Sequence, residues 1–149
     1  MSRGGFTLIE VMLAIAILMV IFGLGLFASF DLYRGYSYRS ERDTIVGLLT
    51  KARSRSMSNV YQSAHGVCYN ASAQTYNIEC VAESCPVSTA ERIPANPSVL
   101  VSGIPSCGGG LVLFAQVTGN TSGPGVISVS EPGRPTQTIT VNNAGTINW

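Results

Sequence analysis

The hydrophobic pattern is strongest near the start of the chain, where residues 11–30 are almost wholly apolar. Between Phe6 and Phe30 the single formal charge is Glu10. A helix needs about 20 apolar residues to cross the hydrocarbon core of a bilayer, and this segment supplies them. The pattern therefore predicts a transmembrane helix over residues 6–30. An ionisable side chain in such a segment is costly and usually functional, so Glu10 requires an explanation.

After residue 30 the pattern becomes that of an amphipathic helix. Apolar residues recur at helical spacing among charged ones: Ile45, Leu48, Leu49 and Ala52. No proline interrupts residues 31–59. We predict one continuous helix from Phe6 to about Asn59, apolar all round in its first half and buried on one face in its second. Gly23 and Gly25 each cost the apolar half about 1 kcal/mol of helix stability relative to alanine, so they are the positions where the helix would loosen most readily.

The rest of the chain alternates in short runs that are typical of β-strands. Residues 65–69 and 75–80 flank a short polar segment and predict a hairpin, with Tyr69 opposite Tyr76. Residues 125–130 and 136–141 flank Pro-Gly-Arg-Pro and predict a second hairpin.

Further strands are predicted over residues 98–101, 111–114 and 146–149. Residues 111–114 are wholly apolar, which favours a central position in the sheet. Residues 80–97 contain three prolines and are expected to form an irregular connection. A long helix followed only by strands indicates an α+β fold, with an antiparallel β-sheet packed on the helix.

Composition narrows the class of protein. The chain has 149 residues, of which only 11% are charged, and its net charge is +1. So small a net charge gives no general attraction to nucleic acid. The four cysteines, in an exported domain of this size, indicate disulfides and an oxidising compartment.

The four cysteines allow three disulfide pairings. With Tyr69 opposite Tyr76, Cys68 faces Asn77, which argues against a Cys68–Cys80 bond. The pairing that we favour is Cys80 with Cys85 and Cys68 with Cys107. A zinc site using Cys80 and Cys85, which alone have ligand-like spacing, and free thiols remain alternatives.

Residues for catalysis are scarce. His65 is the only histidine, so a catalytic triad or a multi-histidine metal site is not expected. Residues 108–110 are three glycines without the lysine and Ser/Thr of a phosphate-binding loop. We predict no catalytic residues, no metal and no cofactor, and therefore no enzyme.

The start of the chain carries a specific motif, Gly5-Phe6-Thr7-Leu8-Ile9-Glu10, after a short leader with one basic residue, Arg3. This motif resembles the class III signal of type IV prepilins and type II secretion pseudopilins. A secretory signal peptide would have a shorter apolar run, and a plain membrane anchor would leave Glu10 unexplained. The resemblance implies that a prepilin peptidase cleaves between Gly5 and Phe6 and methylates the new amino terminus of Phe6.

The resemblance also implies a role for Glu10 in subunit assembly. Its carboxylate would neutralise the amino terminus of a neighbouring subunit inside the apolar filament core, because two buried charges are tolerable as a hydrogen-bonded pair. The alternative is that Glu10 extends alone to the lipid head groups. Pseudopilins at a filament tip tend to lack this carboxylate, so a chain that keeps Glu10 is expected to have a subunit on either side.

Later segments are similar to H-type pseudopilins and related minor pilins: residues 48–57, 65–67 and 139–147. The family implies a subunit of a type IV pilus or type II secretion pseudopilus. Its partners would be other pilin subunits, the prepilin peptidase, an inner-membrane assembly platform and, before assembly, membrane lipid. The predicted segments are a leader (1–5), a membrane and filament-core helix (6–30), its amphipathic continuation (31–59) and an exported β-sheet domain (60–149).

Topology and alternative functions depend on the basic residues. Arg3 precedes the apolar segment and Arg34, Arg39 and Arg42 follow it, which by the positive-inside rule alone would put the C-terminal domain in the cytoplasm. The prepilin signal and the cysteines favour the opposite, a bacterial inner-membrane protein with that domain outside. Six basic residues between 34 and 55 are expected to face solvent and neighbouring subunits. Alternatively, these basic residues contact phospholipid, or they bind DNA in a minor pilin that takes part in DNA uptake. A further alternative for the function is a major pilin.

Overall fold

The computed structural model describes residues 7–82, 85, 91–123 and 125–149. Within them one helix precedes eight strands, and a short 3₁₀ turn, Val60–Gln62, follows the helix. The elements are α1 Leu8–Met57, β1 His65–Asn70, β2 Thr75–Cys80, β3 Glu91–Pro94, β4 Leu100–Ser102, β5 Val112–Phe114, β6 Gly125–Ser130, β7 Gln137–Val141 and β8 Ile147–Asn148. The α+β class is confirmed.

The chain forms two compact units, Met1–Ser37 and Tyr38–Trp149. In the first unit, Leu8–Leu26 is a helical segment long and apolar enough to cross a membrane, with a mean hydropathy of 2.6. None of this segment is buried. The second unit contains the end of α1 and all eight strands.

The strands form two antiparallel sheets, where the sequence had suggested one. The first has the order β3-β2-β1-β5 and the second the order β4-β6-β7-β8. Both predicted hairpins are confirmed, and in the first the register places Tyr69 opposite Tyr76 and Cys68 opposite Asn77. In the second hairpin Ile127 lies opposite Ile139.

Two sequence predictions about strands are wrong. The connection over residues 80–97 contains β3, which pairs with β2 from Thr75 to Ile78. Ile93 is the one large aliphatic residue of β3, and one such residue gives no alternating pattern from which to predict a strand. The proline of β3 is tolerated because β3 lies at the edge of the sheet. Strand β5 also lies at an edge and not at the centre. Its apolar character reflects the core beneath, where Val112 and Phe114 are buried.

The core lies between α1 and both sheets. The helix contributes Ile45, Leu49 and Ala52, all without exposed surface. Buried strand residues belong to the same cluster: Val67, Tyr76, Ile78, Val112 and Phe114 from the first sheet, and Ile127, Val129, Ile139 and Val141 from the second. The predicted amphipathic face of the helix is therefore the face that is buried. Burying each large apolar side chain contributes about 1.5–3 kcal/mol, so this face holds the second unit together.

Hydrogen bonds from two side chains attach the start of this buried helix face to both sheets. The Tyr38 hydroxyl lies 3.0 Å from the carbonyl oxygen of Val129 and 2.7 Å from that of Pro135, beside the second sheet.

The Glu41 carboxylate accepts hydrogen bonds from the Tyr76 hydroxyl at 2.7 Å, on the first sheet, and from the backbone N–H of Asn96 at 3.2 Å. Burial and the neighbouring Glu41 raise the pKa of Tyr76, which keeps its hydroxyl protonated as a donor.

Ser56 attaches the end of the helix to the first sheet. Its hydroxyl donates to the carbonyl of Phe114 at 3.0 Å and accepts from the backbone N–H of His65 at 2.8 Å. The backbone carbonyl of Ser56 accepts from the N–H of Val117 at 2.8 Å. His65 is buried at the entry of the first hairpin, and that burial lowers its pKa, so its ring is neutral at pH 7.

We predict that Gly145→Ala destabilises the fold more than Gly133→Ala. Both glycines have positive φ, 71° and 85°, so each substitution costs about 1–2 kcal/mol in backbone strain. A Cβ at Gly145 would also overlap the carbonyl oxygen of Gly119, whereas a Cβ at Gly133 meets open space. We expect this overpacking to lower the free energy of unfolding of Gly145→Ala by about 1–3 kcal/mol more. Urea unfolding of the full chain in detergent, followed by circular dichroism, measures this difference, and equal midpoints would contradict it.

We predict that Tyr76→Phe lowers the free energy of unfolding by about 1–3 kcal/mol, because it removes a donor from the buried Glu41 carboxylate. The matched control is Tyr69→Phe, on the neighbouring strand, whose ring lies 5.4 Å from that of Tyr76. No hydrogen bond of the Tyr69 hydroxyl is found among the described residues, so we expect a loss below about 0.5 kcal/mol for the control. Similar losses in both variants would show that Glu41 does not depend on the Tyr76 hydroxyl.

Candidate functional site

The N-terminal motif opens α1. The carbonyl of Thr7 accepts hydrogen bonds from the N–H groups of Glu10 at 3.1 Å and Val11 at 3.3 Å, which begins the helix. Glu10 lies in the first helical turn, where the helix dipole favours a carboxylate, and its side chain is exposed. The predicted cleavage residues, Gly5 and Phe6, lie outside the described residues.

Exposed apolar side chains cover the segment of residues 7–26, which includes Glu10. Every residue from 7 to 26 is exposed, and the large apolar side chains Met19 and Phe22 are exposed to 71% and 70%. Soluble monomers rarely expose apolar patches larger than a few hundred Å², and larger ones mark contacts with membranes or other proteins. Glu10 is the only charged side chain in this segment. Residues 7–26 therefore form an apolar surface suited to contact with a membrane or another protein, with one carboxylate near its start.

Ion pairs inside the second unit engage part of the basic stretch. Lys51 and Arg55, one helical turn apart on α1, both bind Glu91 on β3, with N–O distances of 2.6 and 2.7 Å. Lys51, and to a smaller extent Arg55, hold the pKa of the Glu91 carboxyl below its ordinary value. These three residues attach the helix to the edge strand of the first sheet. The sequence prediction assigned no partner to Glu91, because it placed this residue in an irregular connection.

Other cations of the stretch are also engaged locally. Arg42 pairs with its neighbour Asp43 at 2.7 Å. Arg53 donates to the backbone carbonyl of Ala144 at 3.1 Å, which joins α1 to the turn before β8. Arg39 is exposed. The stretch is therefore partly a set of intramolecular contacts and not a continuous basic surface, which weakens the case for DNA binding.

The four cysteines form two disulfides, Cys68–Cys107 and Cys80–Cys85, with Cα–Cα distances of 5.0 and 6.2 Å. The first disulfide joins β1 to the segment before β5, which also pairs with Tyr69 through two backbone hydrogen bonds. Glu79 lies near these two sulfur atoms. Because the sulfur atoms are bonded to each other, they provide no thiolate for a metal ion.

The chain is similar to known proteins in its N-terminal motif and in its fold. Residues 1–26 match the family model of the prokaryotic N-terminal methylation motif. The structure is similar to that of the minor pseudopilin EpsH from the type 2 secretion system of Vibrio cholerae, with a TM-score of 0.52 and 12% sequence identity. The similarity covers 73% of this chain and 91% of that chain. No curated protein shows a significant sequence match.

At this identity the structural similarity establishes the fold, and the motif is a separate observation on the first 26 residues. Both observations agree with the resemblance of the sequence to type IV pilin-like proteins. The fold is similar to that of a minor pseudopilin, in agreement with the resemblance of the sequence.

We predict that Glu91→Gln lowers the melting temperature at pH 7 and has no effect in acid. The pKa of Glu91 is lower in the folded state, so its contribution to stability is present above the unfolded pKa and is lost as the pH falls through the folded pKa. Because the three side chains are 29–47% exposed, we expect no more than about 1 kcal/mol.

The control is Asp43→Asn, which removes an exposed acid paired to an adjacent residue on α1 and is expected to leave the melting temperature unchanged. Thermal unfolding of both variants from pH 7 to pH 3 is the measurement. A difference for Glu91→Gln that persists unchanged below about pH 3 would refute the ion-pair explanation.

Proposed function

We propose that this chain is a structural subunit, a minor pilin or pseudopilin, of a type IV pilus or a type II secretion pseudopilus, without catalytic activity of its own. The observation that carries the proposal is the methylation motif at the start of a fully exposed apolar helix that continues into a pilin-like domain. Such a helix is suited to two environments, the bilayer before assembly and the filament core afterwards. The β-sheet domain then faces outward.

Processing at the motif would change the charge at the start of the helix. A prepilin peptidase cuts between Gly5 and Phe6, removes the leader of residues 1–5 and methylates the amino group of Phe6. The new amine is positive and lies four residues before Glu10 in the sequence. In a filament, Glu10 of one subunit pairs with this amine of a neighbour, so that neither charge is buried alone.

The proposed location is the bacterial inner membrane, with a single pass over residues 6–30 and residues 60–149 outside the cytoplasm. The two disulfides support an oxidising compartment for the β-sheet domain. The proposed partners are other pilin subunits, the prepilin peptidase, the assembly platform and membrane lipid. Residues 31–59 connect the membrane helix to the β-sheet domain.

Processing is tested by mass spectrometry of the mature protein. We expect a chain that begins at Phe6 and carries one methyl group on its amino nitrogen. The control is the same protein from cells without the prepilin peptidase, which should retain residues 1–5. Retention of Met1 in cells with an active peptidase would exclude the proposed processing.

Assembly is tested by Glu10→Ala and Glu10→Gln. Both remove the charge that would neutralise a neighbouring amine, and breaking a buried ion pair costs about 3–5 kcal/mol, so we expect incorporation into sheared filaments to fall at least about tenfold. The matched control, Asp43→Ala, removes a carboxylate from the exposed side of the same helix and should assemble normally. Undiminished incorporation of Glu10→Ala would show that the pairing is not needed.

A further inference from the structure

Two exposed tyrosines follow the apolar segment of α1. Tyr33 is 73% exposed and Tyr36 is 76% exposed. Tyr38, only two residues later, is 3% exposed and its hydroxyl contacts backbone carbonyls beside the second sheet. The first two tyrosines therefore do not belong to the core that Tyr38 helps to form, and the assembly role of Glu10 does not explain them.

Their position on the helix matches the far boundary of a bilayer. At 1.5 Å per residue, Tyr33 lies about 38 Å and Tyr36 about 42 Å along the helix from Leu8. The hydrocarbon core of a bilayer is about 30 Å thick, and the thickness with the head-group regions is about 40–45 Å. If Leu8 lies at the outer face of the head-group region on one side of the bilayer, both tyrosines fall in the head-group region on the other side.

Their chemistry matches the same place. A tyrosine ring is apolar and its hydroxyl is polar, which is why tyrosine is enriched at membrane–water interfaces. Arg39, also exposed, follows one helical turn after Tyr36, and its long side chain can extend towards the phosphates of the same head groups. Both tyrosines follow the exposed apolar residues 7–26 on the same helix, which points to lipid as the molecule that covers them.

We propose that Tyr33 and Tyr36 bind in the phospholipid head-group region at the outer end of the membrane segment and set the depth of α1 before the subunit enters a filament. The inference rests on the proposed membrane-anchored state. It adds a specific lipid contact, made by residues outside both the methylation motif and the buried core. It also explains why tyrosines of opposite exposure stand so close together on one helix.

The test uses the full chain reconstituted in phosphatidylcholine vesicles, with tryptophan fluorescence as the measure of depth. Trp149 is the only tryptophan, so Trp149→Phe gives a background without emission from that position. Tyr33→Trp or Tyr36→Trp is then added, and quenching is compared for lipids brominated near the head group and near the bilayer centre. The control is Gly47→Trp, further along α1, where a Cβ meets open space.

We expect the head-group-proximal bromine to quench tryptophan at 33 or 36 at least about twofold more than the central bromine, as for an interfacial residue. Tryptophan at 47 should be quenched by neither. Vesicle flotation is measured on the same samples. A chain that floats but whose tryptophans at 33 and 36 are unquenched, or quenched best from the centre, overturns the inference alone. A chain that fails to float overturns the membrane-anchored state and the inference together.

Discussion

The second unit depends on one packing interaction, the burial of a single face of α1 in a core shared with two sheets. Ile45, Leu49 and Ala52 have no exposed surface there, and the sheets provide the remaining core residues. Dispersion and hydrophobic burial give this contact its strength but little directional preference. Polar contacts at the two ends of the buried face fix the position of the helix on the first sheet. Glu41, before the apolar residues, accepts a hydrogen bond from Tyr76, and Ser56, after them, donates one to the carbonyl of Phe114. Because unpaired buried polar groups are costly, a shift of the helix by one residue would break both sets.

The first unit presents the opposite situation, since its described residues 7–26 form an apolar helical segment that is exposed throughout. An exposed apolar surface of this extent is typical of a segment that contacts a membrane or other proteins. A single carboxylate, Glu10, is compatible with this segment because it lies in the first turn, where the helix dipole favours a negative charge. The amine of a neighbouring subunit is the partner that we propose for it in a filament. The same helix thus combines two halves with different requirements. One face of the second half is buried within the chain, whereas residues 7–26 of the first half are exposed.

Charge in the β-sheet unit is largely satisfied locally. Lys51 and Arg55 share Glu91, and Arg53 bonds to the carbonyl of Ala144. Such contacts leave few cations to form a continuous basic surface. This is the physical reason why a structural role fits the domain better than nucleic-acid capture, which needs several cations that remain available to phosphates. The disulfide Cys68–Cys107 adds to the stability of the domain, because it joins the first hairpin to a segment that is otherwise held by a few backbone hydrogen bonds.

The sequence alone determined the features that depend on local pattern. The motif ending at Glu10, the apolar helix, the amphipathic face around Leu49 and the register of Tyr69 opposite Tyr76 all follow from spacing and turn chemistry, which act between residues close in the chain. Only the tertiary structure decided which distant residues meet. Strand β3 was not predicted, because a short edge strand has too few alternating positions to give a pattern in the sequence. Strand β5 lies at an edge and not at the centre, because an apolar run indicates burial and not the number of neighbouring strands. The tertiary structure also gave Glu41, Ser56 and Glu91 their partners, since a polar side chain in a sequence carries no sign of the backbone or cation that will satisfy it.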